Sequence, residues 1–344
     1  MRAVRLHGPG EPLRIERVPT PKPDGTEVRI RVAGAGVCHT DLHIADGTQR
    51  RVELPVTLGH EVAGWIDAAA PAAEPHLRRQ HLALGDAVIV SGGWGCGECR
   101  ECRAGAEQRC PDSAAPGFQV DGGYAESMLV PHPRHLVPLR AIDPVRAAPL
   151  ADAGVTAYRT IRRAAPWLVP GARVLLIGCG ALGQFALQFL RLVPAAGHEL
   201  QVGVRELDPR RLDRASQLGA DVGVLDGDAE MAREALGGPA DVVFDFVGAD
   251  STLALAAEVV APGGLVILVG EAGGSMRFAF DGPPVESWLT TVAWGSASDL
   301  REVVRLAGRG RLKWNVETLP LREAASAHAR LRAGDVDGRL VLVP

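Results

Sequence analysis

The spacing of apolar positions changes character once along the chain, near Pro149. Before that point apolar residues come in short groups at 3–6, 13–18, 28–33, 62–66 and 87–90, each a strand candidate. Pro9, Pro12, Pro19, Pro21 and Pro23 punctuate them and forbid long helices. The pattern predicts an irregular, barrel-like β-domain. A short helix is expected over 40–45, with Thr40 or Asp41 near its start. The stretch 70–84, rich in Ala, Pro and Arg, reads as a surface loop whose His76 and His81 are solvated rather than ligating.

Beyond Pro149, 174–177 is a continuous apolar run of the kind buried in a sheet, followed by Gly178 and a helical pattern through Leu192. A strand at 201–205, a helix at 209–218, a strand at 222–225 and a helix at 229–236 follow, and segments at 242–246, 251–260, 265–269 and 290–294 continue the series. Such alternation predicts an α/β, doubly wound parallel sheet. The tail predicts helices at 298–307 and 321–332 and a last strand at 339–343. A length of 344 residues argues for two domains, placed at 1–150 with 295–344 and at 151–294.

Composition narrows the function. Hydrophobic content of 47% and charged content of 23% are those of a globular protein. A net charge of −4 gives no electrostatic case for nucleic acid or an anionic membrane. No apolar run is long enough to span a bilayer and no apolar segment follows Met1-Arg2-Ala3-Val4-Arg5, so a cytoplasmic protein is expected. In a reducing compartment, clustered cysteines hold metal more often than disulfides. Cys96, Cys99, Cys102 and Cys110 sit in a loop rich in glycine, and four thiolates close a tetrahedral shell round zinc with no position left for substrate. Free thiols or two disulfides are the competing reading.

Gly178-Cys179-Gly180-Ala181-Leu182-Gly183 fits G-x-G-x-x-G between a strand and a helix, the context in which glycines admit a pyrophosphate to a helix N-terminus. Glu206 stands where an acidic residue would hold ribose hydroxyls and repel a 2′-phosphate, which favours NAD over NADP; a solvated strand end is the alternative. Arg205, Arg210 and Arg211 lie close enough to blur that preference, and Cys179 reads as a small packed residue. The densest chemistry is Gly36-Val37-Cys38-His39-Thr40-Asp41-Leu42-His43. A catalytic zinc needs three protein ligands and one open position. Cys38 is one candidate, His60 in Gly59-His60-Glu61 a second, and Asp152, where the two domains are expected to meet, a third.

Together these segments, with Ala151-Asp152-Ala153-Gly154 and Val243-Phe244-Asp245-Phe246-Val247-Gly248, resemble the zinc-dependent medium-chain alcohol dehydrogenases over essentially the whole length. The chain looks most like the bacterial NAD-dependent branch acting on secondary alcohols. The resemblance implies a GroES-like irregular β-barrel catalytic domain plus a Rossmann domain, two zinc ions per chain, NAD, and a cleft between the domains that closes on substrate. It implies catalytic zinc on Cys38, His60 and Asp152, where many members carry Cys at the third position. Asp41 would hold the His60 imidazole, Glu61 would lie beside the metal, and Thr40 would pass the substrate proton through ribose hydroxyls to His43. Thr156 and Leu182 would press on the nicotinamide, and His39 and Arg339 would lie near the pyrophosphate, with Gly178, Gly180, Gly183, Glu206 and Arg211 completing the cofactor site. A substrate pocket could include Trp94, Phe118, Trp288 and Trp294. A homotetramer is the expected assembly and a homodimer the alternative. Competing functions are an NADPH-linked carbonyl reductase or a polyol dehydrogenase on the same fold, or a non-catalytic zinc- and nucleotide-binding protein.

Overall fold

The computed structural model describes residues 1–193, 197–280 and 282–344, in two units: Met1–Val155 with Trp294–Pro344, and Thr156–Ala293. In the first unit the strand Val28–Gly36 is buried along most of its length and pairs antiparallel with Glu61–Ala69, with Ser127–Val130 and, at Ala35 and Gly36, with Arg339–Val343. Gly36 thus stands opposite both Glu61 and Val341. One strand therefore ends just before Cys38, the next begins just after His60, and the third begins at Arg339. Sheet pairing alone gathers these distant segments. Val316–Pro320 runs parallel to Arg339–Val343 at one edge, while Ala87–Val90 and Leu136–Pro138 extend the other. A separate three-stranded sheet joins Arg14–Arg17, Arg2–Leu6 and Val56–Thr57. Val28, Ile30, Val62, Ile66, Val88 and Met128 share one buried cluster, each contributing about 1.5–3 kcal/mol through burial.

The second unit carries a six-stranded parallel sheet in the order Val222–Leu225, Gln201–Glu206, Arg173–Ile177, Ala240–Asp245, Val260–Leu268, Trp288–Thr291. The chain direction across the sheet reverses beside Arg173–Ile177, and the glycine turn follows that strand, which is the switch point where doubly wound sheets bind ligands. The order is that of a Rossmann sheet.

Three expectations need correction. The stretch 70–84 is not a loop: a 3-10 turn at Pro71–Ala73 leads into a helix, Glu74–Arg79, that buries Leu77. Pro75 is tolerated because it sits in the first turn, where its missing N–H bonds to nothing. The last strand of the second unit is Trp288–Thr291, and Trp294 leaves the extended region at φ 51°. The helix expected at 321–332 opens as a 3-10 turn at Leu321–Glu323 before the α-helix Ala324–Arg332. Val56–Thr57, Ser127–Val130, Leu136–Pro138 and Val316–Pro320 are strands without a sequence signal, because they are short and two of them end on proline.

Gly64 faces the bulge in Val28–Gly36, and a Cβ there would overlap the Arg31 carbonyl oxygen. Gly64→Ala is expected to lower stability by about 2 kcal/mol, as overpacking does. Equilibrium denaturation checks this, and an unchanged midpoint would show that the bulge absorbs a methyl group.

Candidate active site and metal centres

Cys38 caps the helix His39–Asp46, and the Asp41 carboxylate accepts the Cys38 backbone N–H at 2.8 Å. That closure fixes where the thiol points. Its Sγ lies 3.6 Å from Asp152 Oδ2, and His60 Nε2 lies 3.6 Å from the same oxygen. The three donor atoms fall within 4.8 Å of one another, on residues 5%, 2% and 9% exposed. Zinc bonds of about 2.3 Å to sulfur and about 2.0–2.1 Å to nitrogen or oxygen, at tetrahedral angles, set ligand separations near 3.3–3.6 Å, so the donor set suits zinc. Charge agrees with geometry. Burial pushes the His60 imidazole down, yet Asp41, Asp152 and Cys38 outweigh it and hold the imidazole well above its ordinary value. The site is short of positive charge. All three donors lie in the first unit, so Asp152 does not belong with the parallel sheet as the expected boundary would have it.

Asp41 is wholly buried. Burial raises its pKa, but His60 and the Cys38 N–H outweigh this and keep it lowered. Its Oδ1 faces His60 Nδ1 at 3.3 Å, and its Oδ2 also accepts the Tyr124 hydroxyl at 3.0 Å. No sequence motif marks Tyr124. The available signal was thin: it is one of two tyrosines in the chain and follows a glycine pair. Burial, with Asp41 beside it, pushes its hydroxyl well above the usual range, so it remains a donor.

Glu61 and Arg339 form a buried pair. Arg339 Nε donates to Glu61 Oε2 at 2.9 Å, its second arm also meets Glu61, and it lies 3.8 Å from Asp152 Oδ2. Ala153 N–H donates to Glu61 Oε1 at 3.2 Å. Burial works against the Arg339 charge, but Glu61, Cys38 and Asp152 hold its pKa well above normal. The guanidinium thus neutralises the carboxylates behind the donor set. His39 is exposed at the helix start, Thr40 Oγ1 lies 3.6 Å from Cys38 Sγ, and His43 is half-buried on the same helix.

Two aromatic rings line His60: Phe118 at 5.6 Å and Trp294 at 6.1 Å, themselves 5.6 Å apart. The indole fits because Gly92 has no side chain; a Cβ there would stand 2.7 Å from it. The left-handed backbone at Trp294 is uncommon for a bulky residue and marks a constrained wall. Trp94 instead packs on His135 at 5.9 Å, and Trp288 lies exposed against Trp167 in the second unit, so neither joins this wall.

The four loop cysteines also converge within 4.8 Å. Cys96 and Cys102 sulfurs lie 3.9 Å apart, near the roughly 3.8 Å edge of a four-sulfur zinc tetrahedron. Backbone N–H groups point at the sulfurs: Glu98 and Cys99 at Cys96, Cys102 at Cys99, and Cys96 at Cys110. Those of Glu98 and Cys99 pull the Cys96 thiol down to about 7, whereas burial and the neighbouring thiols push Cys102 up to about 12. One thiolate comes readily and the last requires a cation, as a metal loop does.

In the second unit Gly178 adopts φ 87°, and a Cβ on Gly183 would overlap the Gly178 carbonyl. Gly180 caps Ala181–Leu192 without a side chain, leaving first-turn N–H groups for an anion. Glu206 is 6% exposed and accepts Cys179 N–H and Leu207 N–H, each at 2.7 Å, so it is no solvated strand end. Arg205 is tied to Asp226 at 2.9 Å and Arg210 to Asp208 at 2.8 Å. Leu182 stands half-buried on the helix the glycines open, Arg211 on Pro209–Gln217, and Thr156 is buried.

Cys99→Ser is expected to remove one bound zinc and lower the thermal midpoint while zinc at Cys38 persists. Metal analysis alongside calorimetry checks this, and full zinc with an unchanged midpoint would contradict it.

Comparison with known proteins agrees with this architecture. Residues 24–141 match the alcohol dehydrogenase GroES-like domain family, and residues 218–342 match the zinc-binding dehydrogenase family. D-arabinose 1-dehydrogenase (NADP(+)) of Saccharolobus solfataricus is 37% identical, the alignment covering 100% of this chain and 97% of that protein. NAD-dependent alcohol dehydrogenase of Sulfurisphaera tokodaii is 36% identical, with 100% of both chains covered. The crystal structure of the Aeropyrum pernix alcohol dehydrogenase superposes with a TM-score of 0.91 at 36% identity, covering 100% of both chains. These relatives do not single out a bacterial branch. The chain belongs to the zinc-binding alcohol dehydrogenase family.

Proposed function

We propose that the protein transfers hydride between NAD(H) and an alcohol/ketone or alcohol/aldehyde pair, with secondary alcohols as the expected substrates. The observation that carries this is the convergence of Cys38, His60 and Asp152, separate from the closed four-cysteine loop. When bound, zinc supplies Lewis-acid polarisation of the substrate oxygen, and the nicotinamide takes the hydride. The residues do the rest. Cys38, His60 and Asp152 would hold the metal. Asp41 orients the imidazole. Thr40 Oγ1 would accept the hydroxyl proton as its own O–H proton passes on toward His43 on the same helix, which would release it to solvent. Phe118 and Trp294 exclude water from the His60 side. Glu61 and Arg339 balance charge behind Asp152. Gly178, Gly180 and Gly183 with the helix they open receive the cofactor's pyrophosphate, Glu206 its ribose, and Thr156, Leu182 and Arg211 flank it.

The engagement of Arg205 and Arg210 with carboxylates, together with Glu206, supports NAD rather than NADP. Likeness to an NADP-dependent arabinose dehydrogenase favours a second reading, a polyol or sugar as substrate. The clustering of Cys96, Cys99, Cys102 and Cys110 as one metal-ready group supports a reducing compartment, the cytoplasm. A homo-oligomer, with a tetramer as the expected form, is supported by the sheet's edge strand Trp288–Thr291, which carries no charge, and by Phe278 and Trp288, 80% and 63% exposed.

A panel of secondary alcohols, primary alcohols and sugars with NAD and NADP tests the reading. Turnover with NAD and an alcohol, two zincs per chain, and loss of one zinc and of turnover in Cys38→Ala are expected. Full activity in that variant would overturn the mechanism, and preference for a sugar with NADP would select the second reading. Light scattering should return a multiple of the chain mass, falling in Leu289→Lys; a monomeric wild type would remove the assembly.

A further inference from the structure

The geometry points to Tyr124 as a positioning residue for the catalytic metal, acting through Asp41 on both Cys38 and His60. The inference rests on the zinc reading of the preceding subsection and adds a residue to it. Asp41 has one carboxylate and two duties. Its Oδ2 anchors the Cys38 backbone N–H at 2.8 Å, and its Oδ1 faces His60 Nδ1 at 3.3 Å. A carboxylate free to turn about its Cβ–Cγ bond would lose alignment with both partners. The Tyr124 hydroxyl, donating to Oδ2 at 3.0 Å, pins the plane of the group.

The ring that carries this hydroxyl is itself fixed. Tyr124 is wholly buried, its N–H donates to the Leu58 carbonyl at 2.8 Å, and the preceding Gly123 N–H donates to the Gly59 carbonyl at 2.8 Å. Gly59, at φ 96°, lies so close that a Cβ would overlap the ring. His328 stands across it with ring centres 6.0 Å apart. Tyr124 therefore ties the Gly59-His60 segment to the Cys38 helix by backbone on one side and by hydroxyl on the other. Outer partners of metal ligands commonly change metal affinity by ~10–100-fold when removed.

Tyr124→Phe keeps the ring and deletes only the hydroxyl. The two proposed zincs then serve as reporter and control on one chain. Wild type and variant, both loaded with zinc, are challenged with excess chelator, and zinc release is followed by a chromogenic indicator. The site-bound phase is identified by its absence in Cys38→Ala. That phase is expected to quicken about tenfold in Tyr124→Phe, while release from the four-cysteine loop stays unchanged. Asp41→Asn should quicken the same phase. An unchanged phase would overturn the inference, and so would equal acceleration of both phases, which signals general loosening. Cobalt substitution offers a second readout: the ligand-field spectrum of the Cys38 site should shift in Tyr124→Phe, and an identical spectrum with identical release would contradict the proposal. A wild type holding zinc in the loop alone would instead defeat the functional reading itself.

Discussion

Everything at the candidate active site depends on one sheet register: Gly36 opposite Glu61 on one side and opposite Val341 on the other. Backbone pairing there fixes three chain segments before any side chain contributes. A shift of one residue would turn Glu61 and Arg339 to the other face and separate Cys38 from His60. The buried Val28, Ile30 and Val62 specify that register, because their burial is lost if it slips. Core packing and active-site geometry are the same constraint seen from two sides.

Electrostatics sharpen what the register begins. Asp41, Glu61 and Asp152 are buried carboxylates within one region, and a thiol and an imidazole join them. Unpaired, such charges would cost several kcal/mol each. Arg339 offsets Glu61 and Asp152, the Cys38 N–H and Tyr124 hydroxyl satisfy Asp41, and the remaining deficit of positive charge falls where Cys38, His60 and Asp152 converge. A dication placed there would resolve the deficit and, with only three protein donors, would keep a position for a substrate oxygen. The closed four-thiolate loop has no such opening, so the two clusters differ in purpose although both suit zinc.

How much of this was legible in the sequence followed separation along the chain. The cysteine loop is local, so its spacing reveals it. The glycine turn is local too, and the strand before it and the helix after it give it meaning. Cys38 and Asp152 are 114 positions apart, and neither residue type announces a ligand alone; it took resemblance to a family to join them. Tyr124 reaches Asp41 across 83 positions, and a tyrosine after a glycine pair is too thin a signal to mark it. Arg339 could be placed near a cofactor from the family, but its pairing with Glu61 is a product of sheet order. The helix Glu74–Arg79 is hidden by Pro75, because a proline in a first turn looks the same in sequence as one that breaks a helix.

The central claim is that one chain holds two chemically distinct zinc sites, one closed and one open. Zinc-edge X-ray absorption on Cys99→Ser, which leaves the open site alone, tests it most directly. The expected result is one ion per chain coordinated by a single sulfur with nitrogen and oxygen neighbours. An all-sulfur shell, or a chain that binds no zinc once the loop is broken, would contradict it.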